Sequence, residues 1–264
     1  MSVVLDGAGV VITGAGRGIG AALARTFAAD GARLVLADRD GAAVEAVAAE
    51  LGAEPVAGDA ASEDGVRALV ARAGETLGEI DLYCANAGIA EHGGPEAPEE
   101  AWARSWEVNV MAHVRAAREL VPHWLERGSG HLLVTASAAG LLTNLGSAPY
   151  SVTKHGAVAF AEWLVATYRH RGIGAQVVCP QGVRTALLDD AGAAGQALLG
   201  AEAIEPEDVA AAVMTGLRDG RFLILPHPEV GEYYARRATD TGRWLGGMNK
   251  LQQRIEDAVG GPTS

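Results

Sequence analysis

Tyr150 and Lys154 stand four positions apart in the run Pro149-Tyr150-Ser151-Val152-Thr153-Lys154, a spacing that on a helix puts both side chains on one face. A phenol with an ordinary pKa of about 10 is a poor base near neutral pH. An ammonium group one turn away favours the phenolate and removes that obstacle. Ser137, directly after the apolar run His131-Ala136, can hydrogen-bond a substrate oxygen and stabilise charge developing on it. A base, a cation and a hydroxyl suit a reaction in which an alcohol loses its hydroxyl proton while hydride leaves the adjoining carbon. Each has a plainer reading as well: Tyr-x-x-x-Lys is also a surface i,i+4 pair, and Ser137 a strand-end hydroxyl.

A second chemical pattern lies near the N terminus. The apolar run Val10-Thr13 leads into Thr13-Gly14-Ala15-Gly16-Arg17-Gly18-Ile19-Gly20, and a helical pattern with Leu23, Ala24 and Phe27 on one face begins at once. Glycines in that place let the backbone turn tightly and approach a pyrophosphate, whose charge rests on the N terminus of the new helix. The useful glycines, measured from the strand, are Gly14, Gly18 and Gly20, with Arg17 and Ile19 between them. Eighteen positions after Gly20 comes Asp38, where a carboxylate can accept hydrogen bonds from ribose hydroxyls. It would repel a 2′-phosphate, so NAD(H) is favoured; Arg17 and Arg39, either able to reach such a phosphate, keep NADP(H) possible. Asp38 is also placed to cap a helix over Asp40-Leu51.

These residues need elements to hold them. Strand candidates are Val10-Thr13, Arg33-Ala37, Pro55-Ala57, Ile80-Ala85, His131-Ala136, Ala175-Cys179 and Phe222-Leu225, separated by Ala-rich segments of helical period. Seven such strands alternating with helices imply an α/β fold: one doubly wound domain over residues 1–264, a seven-stranded parallel sheet with helices on both faces. The ligand of such a sheet sits at the carboxyl ends of its strands, where both patterns fall. Thr185 to Ile204, rich in Ala, Gly and Asp, reads as a mobile lid, and about 227–264 as a C-terminal helical extension packed on its own core or on a neighbouring subunit.

The formal net charge is −12, from 33 acidic and 21 basic residues, so a polyanionic partner is repelled and nucleic acid is not expected. No membrane-spanning apolar stretch and no leader are seen, which leads us to expect a soluble, cytoplasmic protein. Cys84 and Cys179, in apolar runs and without further ligands nearby, read as two buried thiols; no metal site is expected.

With these motifs in order, the sequence resembles the short-chain dehydrogenase/reductase (SDR) family, whose nucleotide-binding sheet is of the Rossmann type. Thr13-Gly14-x-x-x-Gly18-x-Gly20 is similar to its cofactor loop, Asn86-Ala87-Gly88 to its strand-four motif, and Ser137 with Tyr150-x-x-x-Lys154 to its catalytic set. The resemblance implies that Lys154 also holds the nicotinamide ribose, and that Asn109 is a fourth catalytic residue in a water-linked proton relay. It assigns Asp59, with Ala60 beside it, to the adenine; a turn or cap is the alternative for Asp59. After strand six it implies cofactor contacts at Pro180, Gly182, Val183 and Thr185. Gln181 stands where the family carries glycine, which puts the local turn and the contacts of Val183 and Thr185 in question. The helices over Ala101-Arg127 and Pro149-Arg171 correspond to those through which family members form dimers and tetramers.

The substrate segments implied are Ile89-Gly94, Ala138-Ala148 and Ala186-Leu199. Leu141, Leu142, Leu145, Leu187 and Leu188 make them apolar, with Thr143, Asn144 and His92 as polar groups and no cluster of Arg or Lys to clamp an acid. Arg184 is the exception. A neutral, mainly apolar secondary alcohol or ketone fits. The competing readings are an NADPH-dependent carbonyl reductase, a non-redox epoxide or halohydrin lyase on the same fold, and a sensor of NAD(H).

Overall fold

The computed structural model describes residues 2–190, 200 and 202–259. Seven parallel strands form one sheet in the order β3-β2-β1-β4-β5-β6-β7: β1 (Gly9–Thr13), β2 (Arg33–Asp38), β3 (Glu54–Ala57), β4 (Leu82–Ala85), β5 (Gly130–Thr135), β6 (Ile173–Val178) and β7 (Leu223–Ile224). The order reverses between β1 and β4, the crevice at which a doubly wound sheet receives its ligand.

Alternate residues of each strand feed two cores. Val10 and Ile12 of β1 join Leu34, Leu36 and Cys84 beneath α1 (Gly18–Ala29), α2 (Gly41–Leu51) and the later helix Pro206–Asp219. Val11 turns to the other side, with Val35, Tyr83 and Leu132, under α3 (Glu63–Leu77), the helix Ala112–Arg127 and the helix Ala148–Tyr168. Each fully buried Val or Leu stabilises the fold by about 1.5–3 kcal/mol relative to exposure, so the strand ends are held stiffly under the site.

Several boundaries differ from the sequence reading. The expected helix over Ala101-Arg127 is divided into α4 (Glu99–Trp106), a π-helical turn (Glu107–Met111) and α5 (Ala112–Arg127); such a turn re-aims a side chain, here Asn109. The helix after it, α6 (Ala148–Tyr168), follows the expected span. Strand Ile80-Ala85 begins only at Leu82; just ahead of it the Asp81 carboxylate accepts from the Gly9 N–H (2.8 Å). The cap of α2 is Asp40, whose Oδ1 accepts from the Ala43 N–H (3.1 Å), not Asp38.

Of the segment Thr185 to Ile204, α7 (Ala186–Asp189) docks through buried Leu188, and Val183 pairs with Ile204; residues 191–199 and 201, the rest of the expected lid, lie outside the described residues. The helix Pro206–Asp219 is α8. The C-terminal extension is two helices, α9 (Glu229–Thr239) and α10 (Thr241–Val259), and it packs on the chain's own core through buried Val230 and partly buried Tyr233, Tyr234 and Trp244.

Candidate active site

The carboxyl ends of β1, β2, β4, β5 and β6 open into a cleft of about 1040 Å³. Its floor is the glycine loop. Gly14 and Gly18 take positive φ (64° and 54°), which a side chain would strain. A Cβ on Gly20 would fall 2.0 Å from the Gly14 carbonyl oxygen, so the first turn of α1 can lie against the strand end only because Gly20 has none. No side chain caps α1, which leaves its first-turn N–H groups able to receive an anion.

Asn86 braces that floor. Its Nδ2 donates to the carbonyls of Thr13 (3.0 Å) and Gly14 (3.3 Å), and its Oδ1 accepts from the Thr135 hydroxyl (3.0 Å). Thr13 Oγ1 accepts from the N–H groups of Asn86 and Ala87, both at 3.0 Å. Ala87 and Gly88 continue along the cleft wall; a Cβ on Gly88 would stand 3.2 Å from both Asn109 Oδ1 and Lys154 Nζ. At the tip of β2 both oxygens of Asp38 are engaged, Oδ2 by the Gly16 N–H (2.9 Å) and Oδ1 by the Asp40 N–H (3.0 Å), so the carboxylate is pinned beside the loop. Arg17, Ile19, Arg39 and Ala60 line the same end. Asp59 lines it too while its Oδ1 accepts from the Ala61 N–H (2.9 Å), so it makes the turn that the sequence offered as its alternative.

Ser137, Tyr150 and Lys154 meet at the other end. Lys154 Nζ donates to the Thr135 carbonyl (2.9 Å) and lies 5.6 Å from the centre of the Tyr150 ring. Ser137 Oγ accepts from the Ala139 N–H (3.1 Å) and donates to the Pro180 carbonyl (3.4 Å). Asn109 stands behind this group, fully buried: its Oδ1 accepts from the Ile89 N–H (3.0 Å), and its Nδ2 donates to the Ile89 carbonyl (2.9 Å) and to Thr153 Oγ1 (3.1 Å). Its side chain therefore braces the loop after β4. Thr13 was read only as the start of the glycine-loop motif, and Thr135 and Thr153 went unremarked in the sequence; Thr153 lies inside the Tyr-Lys interval, but nothing in a lone threonine announces a bracing role.

After β6, Pro180, Gly182, Val183 and Thr185 all line the cleft, as does Gln181. Gln181 sits on a backbone without positive φ, and its N–H donates to His227 Nδ1 (3.1 Å), so the turn accommodates the missing glycine. At the substrate end, Leu142, Thr143, Asn144, Leu187 and Leu188 line the cleft. Leu141 does not: it is in the core, and Leu145 lines a separate cavity. His92 is a loop residue within hydrogen-bonding distance of the Asp190 carbonyl (3.0 Å), and Arg184 pairs with Glu205 (2.9 Å) in solvent.

Residues 8–195 match the family model for the short chain dehydrogenases. The chain belongs to the short-chain dehydrogenase/reductase family. It is similar to 1-deoxy-11-beta-hydroxypentalenate dehydrogenase of Streptomyces exfoliatus, 38% identical over 228 residues that cover 83% of this chain and 82% of the relative. It is 32% identical to 3beta-hydroxysteroid dehydrogenase 2 of Eggerthella lenta over 190 residues, 69% of this chain and 73% of that one. An SDR from Burkholderia phymatum, solved in complex with NAD, superposes with a TM-score of 0.82 at 31% identity, covering 90% of this chain and 95% of its own. The protein is thus an oxidoreductase of hydroxyl or ketone groups. Among the described residues, no helix is long and apolar enough to cross a membrane and no group of His, Cys, Asp or Glu is arranged to hold a metal.

Burial sets the electrostatics of this short-chain dehydrogenase. It lowers the Lys154 pKa to about 8 and pushes Tyr150 above the ordinary phenol value, opposed by the hydrogen bond from Ser137. Among the protein's own groups, desolvation of the phenolate therefore sets the direction, opposite to the lowering that the Tyr-Lys spacing suggests. Burial also raises the Cys179 thiol to about 12 and the Cys84 thiol further, which leaves both inert.

Proposed function

We propose that this protein interconverts a neutral, mainly apolar secondary alcohol and its ketone with NAD(H), Tyr150 serving as acid and base. The observation that carries the reading is the shared cleft: Ser137, Tyr150 and Lys154 converge at one end, and Asp38, both oxygens pinned, closes the other. The cradle fits a dinucleotide, since Gly20 leaves the room that a Cβ would fill and α1 is uncapped. Gly14, Gly18 and Ile19 would receive its pyrophosphate, Asp38 the adenosine ribose, Asp59 and Ala60 the adenine, and Lys154 the nicotinamide ribose. Asn86 to Gly88, Pro180, Gly182, Val183 and Thr185 complete the binding wall. When bound, the nicotinamide supplies the hydride acceptor or donor.

The chain's own part is proton transfer and orientation. Ser137 Oγ holds the substrate oxygen; Tyr150 takes its proton in oxidation and returns it in reduction. Lys154 favours the phenolate, and Asn109 keeps the loop after β4 in register behind them. Leu142, Leu187 and Leu188 keep water from the reacting carbon. A carboxylate substrate would find no free clamp at this end: Lys154 is bonded to the Thr135 carbonyl, Arg184 is engaged by Glu205, and residues 191–199 contain no charged side chain. Relatives named for hydroxypentalenate and hydroxysteroid substrates are consistent with an alicyclic alcohol. Exposed Trp163 and Val152 on α6 and Trp106 on α4 suit a homodimer or tetramer built through those helices.

A second reading, an NADPH-dependent carbonyl reductase, is favoured by Arg17 and Arg39 at the nucleotide end. Fluorescence titration with NADH and NADPH separates the two: tighter NADH binding supports Asp38 as the selector, whereas tighter NADPH binding means the arginines dominate. If neither nucleotide binds, the redox reading fails. Tyr150→Phe should lower turnover of a steroid or terpenoid alcohol by about 10²–10⁴-fold while NADH binds as before. Unchanged turnover in that variant would remove Tyr150 from the chemistry.

A further inference from the structure

The substrate wall over residues 141–147 is poorly supported from behind. On its far side lies a second cavity of about 590 Å³, bounded by Leu145, Ser151, His155, Glu96 and, from α10, Gln252. Thr143, which lines both cavities, is the one non-glycine residue with positive φ (137°) among the described residues. A β-branched residue in that region is held there only by its surroundings. Leu141 and Leu142 anchor one end of the wall in the core, and beyond them hydrogen bonds fix it. Ser151 Oγ receives the Asn144 N–H (2.8 Å), and one guanidinium nitrogen of Arg237, on α9, contacts both the Leu141 carbonyl and His155 Nε2, the latter at 2.9 Å.

The ring of His155 fixes the protonation that this arrangement needs. Its Nδ1 lies 2.8 Å from the Ser151 carbonyl, which can only accept, so Nδ1 carries the hydrogen. Its Nε2 faces a guanidinium, which can only donate, so Nε2 must be bare.

We propose that Arg237 is a positioning residue for the substrate wall, through its clamp on the Leu141 carbonyl and on His155. The C-terminal helices thereby act on the reaction site without touching it. The groups around His155 are few. Glu96, in the loop beyond the same cavity, is engaged by the Gly94 N–H (2.6 Å); Gln252 of α10 is neutral and bonded to Glu256 (2.8 Å). Glu232 of α9 pairs with Arg236, and Lys154, next along α6, is directed to the Thr135 carbonyl. Arg237 is thus the charge in hydrogen-bonding contact with the ring.

The assignment rests on the alcohol–ketone reading of the cleft only for its kinetic readout. In Arg237→Met we expect KM for the alcohol to rise about tenfold with kcat within about twofold, since the wall is displaced while Ser137, Tyr150 and Lys154 stay in place. NADH affinity should be unchanged. Arg237→Lys, whose single nitrogen can donate to the same two acceptors but from a shorter side chain, should recover part of the loss. Amide exchange of Leu142 to Asn144 reads the clamp without any substrate: it should quicken in Arg237→Met. If KM and that exchange are the same in Arg237→Met as in the wild type, the clamp does not exist. Altered exchange in a protein that turns over no alcohol or ketone would support the clamp and refute the reaction.

Discussion

The floor of the cleft at Gly14 to Gly20 and its wall over residues 141–147 are both made of small, mostly uncharged residues, yet they are held by different means. The floor is fixed by main chain against main chain, with Gly20 packed where no Cβ fits and Asn86 bonded to two carbonyls of the loop. The wall lies between two cavities and is held at single atoms by side chains, Ser151 of α6 on the Asn144 N–H and Arg237 of α9 on the Leu141 carbonyl. Backbone packing tolerates no change of size. Side-chain clamping tolerates changes of size but fails when the reaching atom is removed. The contrast suits a protein that must hold one cofactor rigidly while its substrate end is free to diverge.

The contrast is most open to attack at Gly20. Alanine there would place Cβ 2.0 Å from the Gly14 oxygen. Such overpacking, on the order of 2–3 kcal/mol, should weaken NADH binding roughly 30- to 150-fold, measured by fluorescence titration. Affinity within a few-fold of the wild type would show that the floor yields and that the distinction is false.

Lys154 lies where floor and wall meet, and it tests how dry that junction is. Its pKa falls from 10.5 to about 8 on burial. The cost of burying the ammonium is fully present below about 8, where both folded and unfolded chains carry the proton. Between the two values the unfolded chain binds more protons, so this group's contribution to stability rises with pH, by on the order of 3 kcal/mol in all. Urea unfolding of the wild type and Lys154→Met at about pH 7.5 and about pH 10 isolates it as the difference between the two proteins. A difference that does not change with pH would mean the ammonium is hydrated.

The smallest effect is expected at Gln181. Because its backbone is ordinary and its N–H is used by His227, Gln181→Gly should leave NADH affinity within about threefold. A tenfold gain would show that glutamine distorts the turn and that this part of the nucleotide wall is also held by side chains.

The glycine loop, the Tyr-Lys pair and all seven strands were legible because each is signalled locally, by apolar runs, by spacing on a helix or by glycines between strand and helix. Asn109 was found through resemblance alone. The cap of α2 was displaced by two residues because Asp38 and Asp40 look alike in sequence, and only the loop beside β1 gives Asp38 another partner in the Gly16 N–H. Leu141 and Leu145 were placed on the substrate side because apolarity does not say which way a residue in an irregular segment turns.

What the sequence by itself determined is the parallel sheet and the residues at its carboxyl ends, because those follow from periodicity and from chain chemistry over a few residues. Only the tertiary structure decided how Tyr150 and Lys154 titrate, since desolvation depends on everything packed around them and reverses what the pair's spacing alone suggests. It also decided that Arg237 reaches Leu141, a contact across 96 positions of chain, for which no local pattern exists because the two segments meet only after the sheet and α6 have formed between them.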